Sequence, residues 1–144
     1  MRFHSTYVLL VALMFGAAQA SDKQFTGTAT PICGVTDGPA SKIILVQSDD
    51  RESKIEIFVH DLTPNMLGGD VKIVSEYYSP KTAKLRICPS GSSCFASDGG
   101  ILRVLSNNKS AINGTLRYIS KDHEWRQVTF VAQITRAPTN MICG

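Results

Sequence analysis

Charge is sparse in this chain: 19% of its 144 residues are Asp, Glu, Lys or Arg, the formal net charge is +3, and no block of five like charges occurs. That balance excludes an acidic or basic disordered tail and is too small to argue for a nucleic-acid-binding surface. Long apolar runs are also scarce. The longest, Tyr7–Ala18, covers twelve residues, short of the roughly 20 that a helix needs to cross a bilayer, so no transmembrane segment is expected in the mature chain. There is no GxGxxG or GxxxxGK[ST] loop, no CxxC pair and no GxSxG elbow, which removes the signatures of nucleotide binding, zinc clusters and α/β-hydrolases. Helical periodicity is missing beyond the first twenty residues, apart from a turn near Leu62–Leu67. No internal repeat, linker or low-complexity tract is found, so a single domain is expected.

What is present begins with a leader. A basic start (Met1, Arg2), the apolar run and the small-x-small triplet Ala18-Gln19-Ala20 read as a secretory signal peptide over residues 1–20, leaving an exported domain over 21–144, secreted or periplasmic. Without Arg2 the balance is 14 basic against 12 acidic residues, a net +2. Ser21, not a cysteine, stands directly after the cleavage site and the Cys143-Gly144 end has no CaaX box or hydrophobic tail, so no lipid anchor is expected.

All four cysteines lie in the exported part, and an even number in an oxidising compartment implies two disulfides. Of the three connectivities, Cys88 with Cys94 is favoured because Pro89-Ser90-Gly91-Ser92-Ser93 is a turn-forming insert that lets two strand ends meet. That leaves Cys33 with Cys143. Loop-closure entropy gives about 2 kcal/mol for the short bridge and about 4–5 kcal/mol for the long one.

Period-two patterning dominates the rest. Ile55, Ile57 and Val59 alternate with Lys54, Glu56 and Phe58; Leu85 and Ile87 alternate with Lys84 and Arg86; Val128, Phe130, Ala132 and Ile134 alternate with Gln127, Thr129 and Gln133. Further strands are predicted over Gln24–Thr30, Lys42–Gln47, Val71–Tyr78, Ile101–Leu105 and Ile112–Ile119. Turn chemistry separates them at Asp37-Gly38-Pro39, Ser48–Glu52, Ser79-Pro80-Lys81, Asp98-Gly99-Gly100, Ser106-Asn107-Asn108 and Lys121-Asp122-His123. About eight short strands at this spacing predict an all-β fold, a single antiparallel β-sandwich or small barrel.

Catalytic constellations are thin. His123-Glu124-Trp125-Arg126-Gln127 resembles the start of the zincin motif His-Glu-x-x-His, but Gln127 stands where the second histidine belongs and the segment reads as a turn entering a strand. His60-Asp61 carries the other mature histidine, and His60 and His123 could share a site only if the fold brings them together. Asp49 and Asp50 read as solvated hairpin residues, and Cys88 and Cys94, once oxidised, supply no thiolate. No catalytic residue, metal or cofactor is therefore assigned. Asn108-Lys109-Ser110 and Asn113-Gly114-Thr115 satisfy the N-glycosylation rule.

The most distinctive feature is the loop Pro89, Ser90, Gly91, Ser92, Ser93 ahead of Phe95. Closed by a disulfide, it has lost much of its free-state entropy and can enter a partner's cleft at reduced ordering cost. Ser90-Gly91-Ser92-Ser93-Cys94 resembles the Ser-Gly-x-x-Tyr loop of bacterial periplasmic lysozyme inhibitors, themselves small exported β-barrels; two of five residues are identical and cysteine replaces the tyrosine. The likeness implies an inhibitor-like loop. Met66 and Leu67, on the connection Asp61–Asp70, form a second surface that either caps the core or meets a partner. The expectation is a non-catalytic, inhibitor-like or immunity-like protein that presents the closed loop to a protein partner. The second-ranked expectation is a small-molecule or cell-envelope ligand pocket lined by Tyr77 or Tyr78, Phe58 and Trp125. The third is a hydrolase or metal-dependent enzyme using His60 or His123.

Overall fold

In a computed structural model, residues 23–50, 53–75 and 79–143 are described. The leader, Tyr77 and Tyr78 lie outside them. Nine strands follow in chain order: β1 (Lys23–Cys33), β2 (Pro39–Gln47), β3 (Lys54–Val59), β4 (Gly69–Ile73), β5 (Thr82–Cys88), β6 (Phe95–Ala96), β7 (Gly100–Asn107), β8 (Ala111–Ile119) and β9 (Trp125–Ile134). The predicted turn near Leu62–Leu67 is a single 3-10 turn at Pro64–Met66. No α-helix occurs among the described residues.

The strand order β3-β2-β1-β9-β8-β7-β4-β5-β6, with β3 also paired to β5, closes eight strands into a barrel and leaves β6 as an extra strand. Closure removes the exposed edges that make open sheets prone to aggregate, and the one leftover edge is only two residues long. The all-β barrel expected from the alternation is present, with one difference in direction. Two of the nine pairings are parallel, β1 with β9 and β4 with β5. Eight strands in a closed ring must contain an even number of parallel pairings, so the parallel β4–β5 pair requires a second, and it falls where β1 meets β9.

Alternation puts the apolar positions inside. Ile43 and Leu45 of β2, Ile55, Ile57 and Val59 of β3, Ala83, Leu85 and Ile87 of β5, and Val128, Phe130 and Ala132 of β9 are all buried in one cluster. Such a barrel needs corners, where strands bend sharply and a side chain would collide with the neighbouring backbone. Gly27 is one: a Cβ there would lie 1.8 Å from the Ile44 carbonyl oxygen across β2. Gly114 is another, where a Cβ would lie 2.4 Å from the Arg103 carbonyl oxygen across β7.

β4 and β6 share the same side of β5. β4 pairs with its start, at Thr82 and Ala83, and β6 with its end, at Arg86 and Ile87. Ser97 joins this side of the wall to β8: its buried hydroxyl lies 2.9 Å from the Gly99 carbonyl and 3.0 Å from that of Ile119, and accepts from the Ile119 amide at 3.2 Å. Both disulfides form as the spacing indicates, Cys33–Cys143 and Cys88–Cys94. The first ties the tail to the end of β1, and the second closes the β5–β6 hairpin.

The two ends of the barrel differ. At one, the connection from β3 to β4 folds back as a plug, burying Leu62, Pro64 and Leu67. Backbone carbonyls of the plug are hooked by Asn107, whose Nδ2 donates to Pro64 at 2.9 Å and Leu67 at 2.6 Å, and by the Ser41 hydroxyl, which donates to Leu62 at 2.6 Å. Leu67, at 2% exposure, is therefore core and not a contact surface, while Met66 on the same turn stands out at 61%. At the other end no plug occurs among the described residues, and the barrel has an open mouth there.

Candidate functional site

The open end gathers the start of β1, the end of β2, the start of β3, the ends of β5 and β8, and the start of β9. Register decides which side chains face in. Leu116 pairs with Val128 and Tyr118 with Arg126, so Tyr118 and Arg126 continue the inward face of their strands toward the mouth. Lys23 is two residues before buried Phe25 and opposite Val128 in the parallel β1–β9 pair, and it faces in by the same parity. Ile87 pairs with Phe95, which brings that ring to the same face.

These placements create a cavity of about 640 Å³. Its floor is apolar, made by Phe25, Ile55, Ile87 and Val128, and Phe95 and Tyr118 form walls above it. Trp125 stands at the rim, 53% exposed, with the Arg117 guanidinium carbon 4.7 Å from its ring centroid, a cation–π contact on the outer side. Burial pushes the Tyr118 phenol up from its ordinary range, with Arg126 opposing and Asp122 adding, so the hydroxyl remains a neutral donor at neutral pH. Arg126 is held by two carboxylates, Asp122 at 3.0 Å and Glu124 at 2.7 Å. Asp122 titrates below its ordinary range, chiefly because the Ser120 hydroxyl donates to it, then through its own backbone amide and Arg126. Lys54 pairs with Glu56 at 3.1 Å.

The disulfide-closed loop forms one side of this mouth. Pro89, Ser92 and Ser93 line the cavity, whereas Ser90 and Gly91 lie at the exposed tip. Gly91 has φ 65°, the value that favours glycine at the third position of a tight turn, and the Ser92 amide donates to the Pro89 carbonyl at 3.3 Å to close it. The tip is also pinned from the side: the Ser90 amide donates to the Ser53 hydroxyl at 3.0 Å, and that hydroxyl donates to Asp50 at 2.6 Å. The loop residues singled out in the sequence thus sit together with Trp125 around one opening. Met66 does not join them, because the plug occupies the opposite end.

The histidines are separated in the same way. His60 follows β3 at the plugged end, its amide bonded to the Thr82 carbonyl at 2.9 Å, whereas His123 occupies the β8–β9 turn at the open end. A shared His60–His123 site is ruled out by this geometry. His123 has φ 62°, left-handed turn backbone, so the helical one-turn spacing of a zincin motif is absent. Among the described residues, no group of three or more His, Cys, Asp and Glu is placed to hold a metal ion. His60 lines a smaller, apolar hollow of about 370 Å³ with Phe58 and Lys84, beside Cys33 and Val35. Phe58, expected in one pocket with Trp125, is instead on the outer surface of that other end, where Lys42 Nζ lies 5.1 Å from its ring centroid.

The mouth residues not singled out from sequence are Lys23, Phe25, Tyr118 and Arg126. A signal existed. Each is in phase with the buried positions of its strand, and a polar side chain in phase with core residues at a strand terminus marks the end of a barrel. A scan against protein-family models and searches of curated proteins and of solved structures find no match.

Proposed function

We propose that the chain is an exported, non-catalytic binding protein that presents the open end of its barrel, with the Cys88–Cys94 loop as the leading edge, to a protein partner in the manner of an inhibitor or immunity protein. One observation carries this reading: the loop is fixed three times over, by its disulfide, by the Gly91 turn and by the Ser90–Ser53–Asp50 relay, yet its tip remains exposed. Such a loop enters a partner with little ordering cost, and an aromatic anchor, Trp125, stands on the same rim. Two disulfides suit an oxidising compartment, and no helix among the described residues is long and apolar enough to cross a membrane.

The test is affinity capture from periplasmic or secreted fractions with the oxidised protein, beside Cys88→Ser/Cys94→Ser and Gly91→Val variants. A partner held by the wild type and by Met66→Ser, but lost by both loop variants while their circular dichroism is unchanged, supports the reading. A partner retained by the loop variants removes the loop from the interface.

A further inference from the structure

We propose that the open end of the barrel is a binding pocket for a small amphipathic anion, an apolar chain or ring ending in a carboxylate, with its apolar part on the floor and its head group at Lys23. The proposal shares the open end with the protein-partner reading but does not rest on it, since that reading depends on the exposed tip of the loop and this one on the cavity and Lys23.

Asymmetry between the ends is the first argument. The plug fills one end with Leu62, Pro64 and Leu67, whereas among the described residues no comparable segment lies over Phe25, Ile55, Ile87 and Val128 at the other. The resulting volume, about 640 Å³, is in the range of ligand pockets, roughly 300–1,000 Å³. The floor side chains are only 2–7% exposed, so the apolar surface that a ligand removes from water lies mainly on the half-buried Phe95 and Tyr118 above them.

Charge selects the kind of ligand. Five charged side chains border the cavity: Lys23, Lys54, Lys121, Arg126 and Asp122. Lys54 is engaged by Glu56, and Arg126 by Asp122 and Glu124. Among the described residues, no ion pair involves Lys23 or Lys121. Lys23 is the one of these two that parity turns inward, directly above Phe25 and beside Val128. An ammonium placed over an apolar floor matches a carboxylate whose own tail lies on that floor, and the Tyr118 phenol, two strands away on β8, offers a neutral donor to the same head group. A plain hydrocarbon would leave Lys23 and Tyr118 without a partner, and a cationic amphiphile would be repelled.

The experiment uses the mature, oxidised protein and three probes of equal chain length below their micellar concentrations: decanoate, decan-1-ol and decyltrimethylammonium. Isothermal titration calorimetry gives the affinity and stoichiometry for each probe. Decanoate is expected to bind one-to-one and at least about tenfold more tightly than decanol, with no binding of the cation. Lys23→Gln should weaken decanoate about tenfold and leave decanol unchanged, whereas Lys23→Arg should restore most of the affinity. Gln47→Trp, which fills the mouth from β2, should abolish binding of both. Lys23 is an exposed residue at the start of β1, so its variants are expected to fold, and circular dichroism checks this. Equal affinity for all three probes, unchanged decanoate affinity in Lys23→Gln, or no saturable binding of decanoate up to millimolar concentration would each overturn the proposal. Loss of anion binding with retained partner capture, or the reverse, separates this proposal from the preceding one.

Discussion

Ser97 and His60 show how single buried polar groups shape this barrel. The Ser97 hydroxyl serves three backbone groups where the wall passes from β6 to β8. Ser97→Ala removes that partner from a part-buried site where the Ile119 amide and the Gly99 carbonyl keep their mutual bond, so a loss of about 0.5–1.5 kcal/mol is expected in urea unfolding. Burial holds the His60 imidazole below its ordinary pKa, with Asp61 opposing and Lys84 adding. The unfolded chain then takes up a proton near pH 6.5 that the folded chain takes up only at lower pH. Stability is complete above about pH 6.5, falls as the pH drops below it, and levels off once the folded pKa is passed. Urea midpoints of the wild type should fall across this window, and those of His60→Asn should fall less. The depressed carboxyls of Asp70 and Asp122 act in a separate, more acid range. Nothing in the tetrapeptide around Ser97 announced its role, because its partners are 2 and 22 residues away and converge only when the barrel closes.

At the scale of elements, the alternating strands were legible and the shortest was not. β3 follows the positions its period-two pattern indicates, and β5 and β9 extend slightly beyond theirs, because one residue in two had to enter the core. β6 was missed, since Phe95-Ala96 is too short to carry a period; its pairing depends on the Cys88–Cys94 bridge holding Phe95 against Ile87. Changing both cysteines to serine should therefore cost about 2 kcal/mol. The loss should be local: amide exchange should accelerate at Phe95 and Ser97 while the amides of β2 and β8 keep their protection. Uniform acceleration across the barrel would show that the hairpin is not an independent unit.

For the molecule as a whole, the Cys33–Cys143 bridge spans 110 residues but closes nothing that hydrogen bonds leave open. β1 already pairs with β2 and β9. Cys33→Ala/Cys143→Ala should lower the free energy of unfolding by about 5 kcal/mol through the unfolded chain, yet retain the native near-ultraviolet spectrum and bind decanoate with wild-type affinity. A variant that lost the spectrum as well would mean that the tail holds the barrel shut. The candidate site belongs to this scale too, since its walls come from seven strands and the connections between them, and only closure brings Lys23 and Arg126 to one opening.

Sequence alone determined what is local or set by compartment: period two made strands, turn residues ended them, and cysteine spacing selected the disulfide pairing. The loop from Pro89 to Ser93 was visible as a closed turn for the same reason. Tertiary structure decided which end of the barrel is filled and which is open. Leu67 and Phe25 are both apolar residues near element ends, and no local rule distinguishes a plug from a floor. That difference arises from Asn107 and Ser41, distant in sequence, which supply the donors that make it favourable for the β3–β4 connection to turn inward.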